Sequence, residues 1–139
     1  MPIAYITRRE RFNAAHRLFS SELTDEENLK IYGKCSHPNW HGHNFELFVT
    51  VKGEIDRKIG YVTNLTNISK LIKELVTDKI DHRNINLDVD FMQGKIASTE
   101  NLAIAIWEVL LKPIEELGVK LHCVKIQETE NNYVEYFGE

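Results

Sequence analysis

The chain has 139 residues, 42% of them apolar and 27% charged, with 17 Lys and Arg against 21 Asp and Glu for a net charge of −4. These values describe one ordinary soluble domain over residues 1–139, with enough apolar side chains for a core, and they argue against a general nucleic-acid binder. With no secretory h-region after Met1, no run of transmembrane length and two distant cysteines that fit a reducing compartment, a cytoplasmic protein without membrane or nucleic-acid partners is expected.

Ile3 to Arg17 alternates, with Ala4, Ile6, Phe12 and Ala14 on the parity that ends at His16, the pattern of a half-buried strand. Leu18 to Asn39 is polar and turn-rich, carrying Gly33, Pro38 and the run Asp25-Glu26-Glu27, and reads as a long functional loop. A second strand runs from His41 to about Ile55. Between Leu65 and Ile80, the residues Ile68, Leu71, Ile72, Leu75 and Val76 fall at helical spacing. Ser98 or Thr99 can cap a second helix, with Glu100 in its first turn and Leu102, Ala105, Ile106, Val109 and Leu110 as its apolar face. Gly118 stops that helix shortly after Pro113. Val119–Glu128 and Tyr133–Phe137 form a hairpin turning at Glu130-Asn131-Asn132. The expected fold is α+β, a four-stranded antiparallel sheet with two helices on one face in the order ββααββ. Its open edges favour assembly edge to edge.

The chemistry concentrates in His41-Gly42-His43-Asn44. On an extended backbone both imidazoles point to one face, and Phe45, Leu47, Val49 and Val51 share that parity. A third imidazole, His16, ends the first strand in phase. Three converging imidazoles suit Zn²⁺ and leave a fourth tetrahedral position open, as catalytic zinc sites do. Gly42 between the pair leaves room for close approach. A His-x-His pair is by itself also consistent with core or surface histidines; the third histidine and Cys35, six residues before His41, favour the metal.

Phe12-Asn13-Ala14-Ala15-His16-Arg17-Leu18, Gly33-Lys34-Cys35, Pro38-Asn39-Trp40-His41-Gly42-His43-Asn44, Asp81-His82, Ser98-Thr99-Glu100-Asn101 and Glu128-Thr129 follow in order. Together they resemble the 6-pyruvoyl-tetrahydropterin synthase family, from about Arg8 to the C-terminus. The resemblance implies the T-fold, in which sheets from three subunits close a barrel and two trimers stack into a homohexamer. It implies conversion of a small-molecule substrate, 7,8-dihydroneopterin triphosphate, to 6-pyruvoyl-tetrahydropterin with loss of triphosphate, in tetrahydrobiopterin synthesis. The five residues between Cys35 and His41 resemble the biopterin-pathway enzymes; the related 6-carboxy-tetrahydropterin synthases of the queuosine pathway typically have three. A catalytically silent zinc-binding T-fold subunit is the alternative from another class, and the complete set Cys35, Asp81, His82 and Glu128 argues against it. Trp40 stands where many relatives have Gly, and His37 where a smaller polar residue is common.

The resemblance also assigns roles. Zn²⁺ on His16, His41 and His43 acts as a Lewis acid toward the substrate side chain. Cys35 is the base and needs activation, because an ordinary thiol is mostly protonated at neutral pH; Asp81 and His82 supply it. Glu128 anchors the pterin through a charge-assisted pair and joins the catalytic relay. Thr99 and Glu100 match pterin-contacting positions. Read alone, Asp81-His82 is a helix-end turn, Glu128 is a solvated acid at a strand end, and Glu100 is a first-turn acid suited to the helix dipole. Cys123 alternates with Leu121 and Val119 as a buried strand residue without chemistry. Arg8, Arg9, Arg11, Arg17 and Lys34 form either a basic rim for triphosphate or a solvated charged face, and the sequence does not separate the two.

Overall fold

A computed structural model describes residues 1–139. Strand β1 (Ile3–His16) pairs antiparallel with β2 (His41–Glu54) in one unbroken register, from Ile3 opposite Glu54 to His16 opposite His41. Beyond β2 lie β4 (Lys120–Gln127) and β5 (Tyr133–Tyr136), both antiparallel. The four expected strands are joined by a fifth, β3 (Arg83–Asn84), which pairs parallel with Ala14 and Ala15 at the outer edge. Two residues are too short for any alternation to announce.

Both long helical segments pack on the face that carries Phe12, Ala14, Phe45, Leu47, Val49 and Val51, all buried. Helix α5 (Thr99–Glu115) starts where Ser98 accepts the Asn101 N–H, and it buries Leu102, Ala103, Ala105, Ile106, Leu110 and Ile114. The earlier segment is α2 (Leu65–Ile72), a π-helical turn (Lys73–Thr77) and the short α3 (Asp78–Ile80), where one continuous helix was expected. Its buried apolar residues Ile68, Ile72, Val76 and Ile80 recur strictly every four positions. On an α-helix that spacing drifts by about 40° per step, and the wider π turn takes up the drift.

The stretch Leu18–Asn39, expected as a loop, contains α1 (Asp25–Tyr32) and a 3₁₀ turn (Gly33–Ser36). Helix α1 forms because Thr24 accepts the Glu27 N–H while the Glu27 carboxylate accepts the Thr24 N–H, a reciprocal cap, and three acids occupy its positive end. It has no apolar face to signal it, for Leu29 and Ile31 are exposed. Its inward residue is Asn28, whose amide exchanges two hydrogen bonds with the Ser20 backbone. A short helix α4 (Ile85–Asp88) and a 3₁₀ turn (Asp90–Met92) lead toward α5. No helix is long and apolar enough to cross a membrane.

Candidate metal centre and active site

The register of β1 against β2 builds the site. His16 lies directly opposite His41, and His43 lies opposite Ala14, whose small side chain leaves the third imidazole room. Ring centroids are 4.5 Å apart for His16 and His41, 5.0 Å for His41 and His43 and 5.2 Å for His16 and His43. The stacked rings of Phe12 and Phe45, 4.9 Å apart, lie next to the cluster along the same face, with Phe45 edge-on to both His16 and His43. Gly42 is not a close-approach glycine within the chain, since an added Cβ would meet nothing nearer than 3.5 Å.

Four ring nitrogens in this cluster, His16 Nε2, both nitrogens of His41 and His43 Nε2, are buried without a hydrogen-bond partner. Such groups are costly to leave bare unless something else takes them. His16 Nδ1 lies 2.7 Å from the Ala97 carbonyl, which can only accept, so the proton is on Nδ1 and the Nε2 lone pair faces its neighbours. Burial pushes all three imidazoles below the ordinary histidine range, and their mutual proximity acts the same way on each. Neutral imidazoles with bare lone pairs are what a divalent metal requires.

Glu128, just past the end of β4, joins this group. Ligand atoms of His16, His41, His43 and Glu128 all lie within 4.8 Å of one another. One Glu128 oxygen sits 3.0 Å from His43 Nε2, a close contact without hydrogen-bond alignment, and the other accepts the buried Thr99 hydroxyl. Thr99, Glu100, Glu128, Asn132 and Tyr133 line a cavity of about 230 Å³, which Glu128 links to the histidine cluster. Glu128, which the resemblance makes the pterin anchor, and Thr99, which it makes a pterin-contacting position, are therefore in direct contact, while Glu100 is exposed at the rim.

Asp81 and His82 occupy a separate place. Asp81 accepts the Asn13 N–H at 2.8 Å, and His82, in a left-handed backbone (φ 61°), donates its own N–H to the Asn13 carbonyl. The turn is thus stitched to β1. The Asp81 carboxylate is 3.0 Å from His82 Nδ1, and the Asn13 N–H, aided by His82, holds its pKa below the ordinary range. The His82 side chain is 81% exposed. Cys35 is half-buried on the 3₁₀ turn, tied to the end of β1 by the Leu18 N–H on its carbonyl. Its thiol is not among the clustered metal-binding atoms, and no hydrogen bond joins it to His82 within the chain. His37 points its Nδ1 at the Asn39 N–H, away from the ligand role, and Cys123 is buried in β4.

A family model described as 6-pyruvoyl tetrahydropterin synthase matches residues 5–139. The chain is 47% identical over 136 residues to a 6-pyruvoyl tetrahydrobiopterin synthase of Homo sapiens, covering 98% of this chain and 92% of that one. It is 48% identical over 134 residues to the protein of the same name from Dictyostelium discoideum, covering 96% of each. The solved structure of 6-pyruvoyl tetrahydropterin synthase from Caenorhabditis elegans superposes with a TM-score of 0.88 at 38% identity, over 100% of this chain and 98% of that one.

Proposed function

The chain belongs to the 6-pyruvoyl tetrahydropterin synthase family of enzymes, and from that premise we propose that it is a zinc enzyme of tetrahydrobiopterin synthesis. Its single domain, residues 1–139, converts 7,8-dihydroneopterin triphosphate to 6-pyruvoyl-tetrahydropterin and triphosphate. The observation that carries the metal assignment is the set of buried, unpartnered ring nitrogens on His16, His41 and His43. An all-imidazole set with room for a further ligand suits Zn²⁺, which when bound supplies Lewis-acid polarisation of the substrate's side-chain oxygens.

The protein's own groups do the rest. Glu128, with one oxygen steadied by Thr99, accepts the paired N–H donors of the pterin edge, which fixes the ring and aims its side chain along the histidine face. Eliminating triphosphate and isomerising the side chain both require removal of weakly acidic C–H protons. Cys35 as thiolate takes them, and His82, oriented by Asp81, accepts and returns the proton from sulfur. Cys35 and His82 come from neighbouring chains in this reading. The exposed His82 ring and its lack of any link to Cys35 within one chain support that. The outer edges of β5 and of most of β1 are unpaired, which supports closure into a barrel and a hexamer built as a dimer of trimers.

Stripping the metal tests the reading. Protein treated with a chelator should form no product and should regain activity with about one equivalent of Zn²⁺ per chain. His16→Ala should lose both metal and activity; full zinc occupancy in that variant contradicts the ligand set.

A further inference from the structure

The five basic residues near β1 and the cysteine turn are not alike. Arg8 donates to Glu10 at 2.8 Å, and Arg9 and Arg11 lie 3.8 and 3.5 Å from Glu46. Those three have local counter-charges. Arg17 and Lys34 form no ion pair, although Asp25 lines the same cavity. Arg17 is held in place by other means: its Nε donates to the Ser36 carbonyl at 2.7 Å, and its guanidinium lies 4.3 Å over the Phe19 ring. Both contacts leave the terminal N–H groups free.

Arg17, Lys34, Ser36 and His37 line a cavity of about 710 Å³. Because His37 Nδ1 accepts the Asn39 N–H, the neutral ring carries its proton on Nε2 and offers one donor more. Each of these residues is tied by sequence to the chemistry: Arg17 follows the ligand His16, while Lys34 and Ser36 bracket Cys35. The Leu18 N–H bond to the Cys35 carbonyl keeps the two segments in fixed relation.

We infer that this cavity is the polyphosphate site, holding the triphosphate end of the substrate while Glu128 holds the pterin end. The inference rests on the proposed reaction, which must hold a polyanion on a chain of net charge −4. Two cations without a paired carboxylate, one of them with a planar fork, meet that need better than cations that already face Glu10 and Glu46. His37 adds a further donor to the same lining.

Titration of the zinc-loaded protein with inorganic triphosphate, followed by calorimetry, tests the site without turnover. Lys34→Gln and Arg17→Gln should each weaken triphosphate binding about tenfold or more, the scale of one hydrogen bond to a charged group. In turnover each should raise KM more than it lowers kcat. Arg11→Gln, an equal change in net charge, should alter neither. Lys34 is exposed on its turn, so its variant keeps the test valid should Arg17→Gln fail to fold. Triphosphate affinity within twofold of the parent in folded, zinc-replete Lys34→Gln overturns the site, as does an equal loss in Arg11→Gln or no binding by the parent. A protein that binds triphosphate through Lys34 but yields another pterin product keeps this site and refutes the reaction instead.

Discussion

Replacing Glu128 by Gln separates the two things its carboxylate can do. One oxygen accepts the Thr99 hydroxyl and the other lies 3.0 Å from His43 Nε2, so the group stands between the cavity it lines with Thr99 and the histidine cluster. Gln preserves shape and one acceptor, and the Thr99 bond survives. Its NH₂ would face one of the two pterin donors, so a charge-assisted pair becomes one neutral bond and one donor–donor clash. That costs about 1.5–3 kcal/mol, roughly ten- to a hundredfold in pterin affinity. The three imidazoles are untouched, so zinc should remain at about one per chain. Calorimetric titration with biopterin, which lacks the triphosphate, reads the first quantity, and elemental analysis reads the second. Pterin affinity within twofold of the parent together with loss of zinc would show that Glu128 is a fourth metal ligand, and the anchor argument would fail.

Cys35→Ala should fold and keep its zinc yet turn over at a small fraction of the parent rate; zinc loss in this variant would put the thiol in the metal shell. Oligomers of Cys35→Ala and of His82→Ala should each be nearly inactive, and co-refolded mixtures should recover partial activity, because some interfaces pair an intact Cys35 with an intact His82. Mixed oligomers as dead as their parents would place both residues in one chain's site. The zinc-free protein should lose thermal stability in acid. His16, His41 and His43 have folded-state pKa values below the ordinary histidine value, so the unfolded chain binds more protons as pH drops. Their stabilising contribution is complete above about pH 6.5 and is lost as pH falls through the folded-state values. Melting from pH 7.5 to 5.5 should show this slope, and His16→Gln should flatten it; identical slopes would mean other groups dominate.

Much of the site was legible because alternation along β1 and β2 is unbroken where the histidines lie. Parity alone put His16, His41 and His43 on the face of Phe12, Phe45 and Leu47, and the register then set His16 opposite His41. The capping box at Thr24-Asp25-Glu26-Glu27 marks a helix start, but a helix without an apolar face leaves no hydrophobic period to read, and its polar composition is that of a loop. The fifth strand depends on Asp81 and His82 binding Asn13, a contact made 68 positions apart that no local pattern carries. The same holds for the basic residues. Arg11 faces Glu46 because the β1–β2 register sets them opposite one another, while Arg17 lies beyond the end of that pairing. Glu128 reached the metal group through strand order, and only family resemblance had singled it out.

The most direct measurement is the product. Zinc-loaded protein incubated with 7,8-dihydroneopterin triphosphate should release triphosphate and 6-pyruvoyl-tetrahydropterin, identified by mass spectrometry under anaerobic conditions. Formation of 6-carboxy-tetrahydropterin instead, or recovery of intact substrate from zinc-replete protein, would contradict the account.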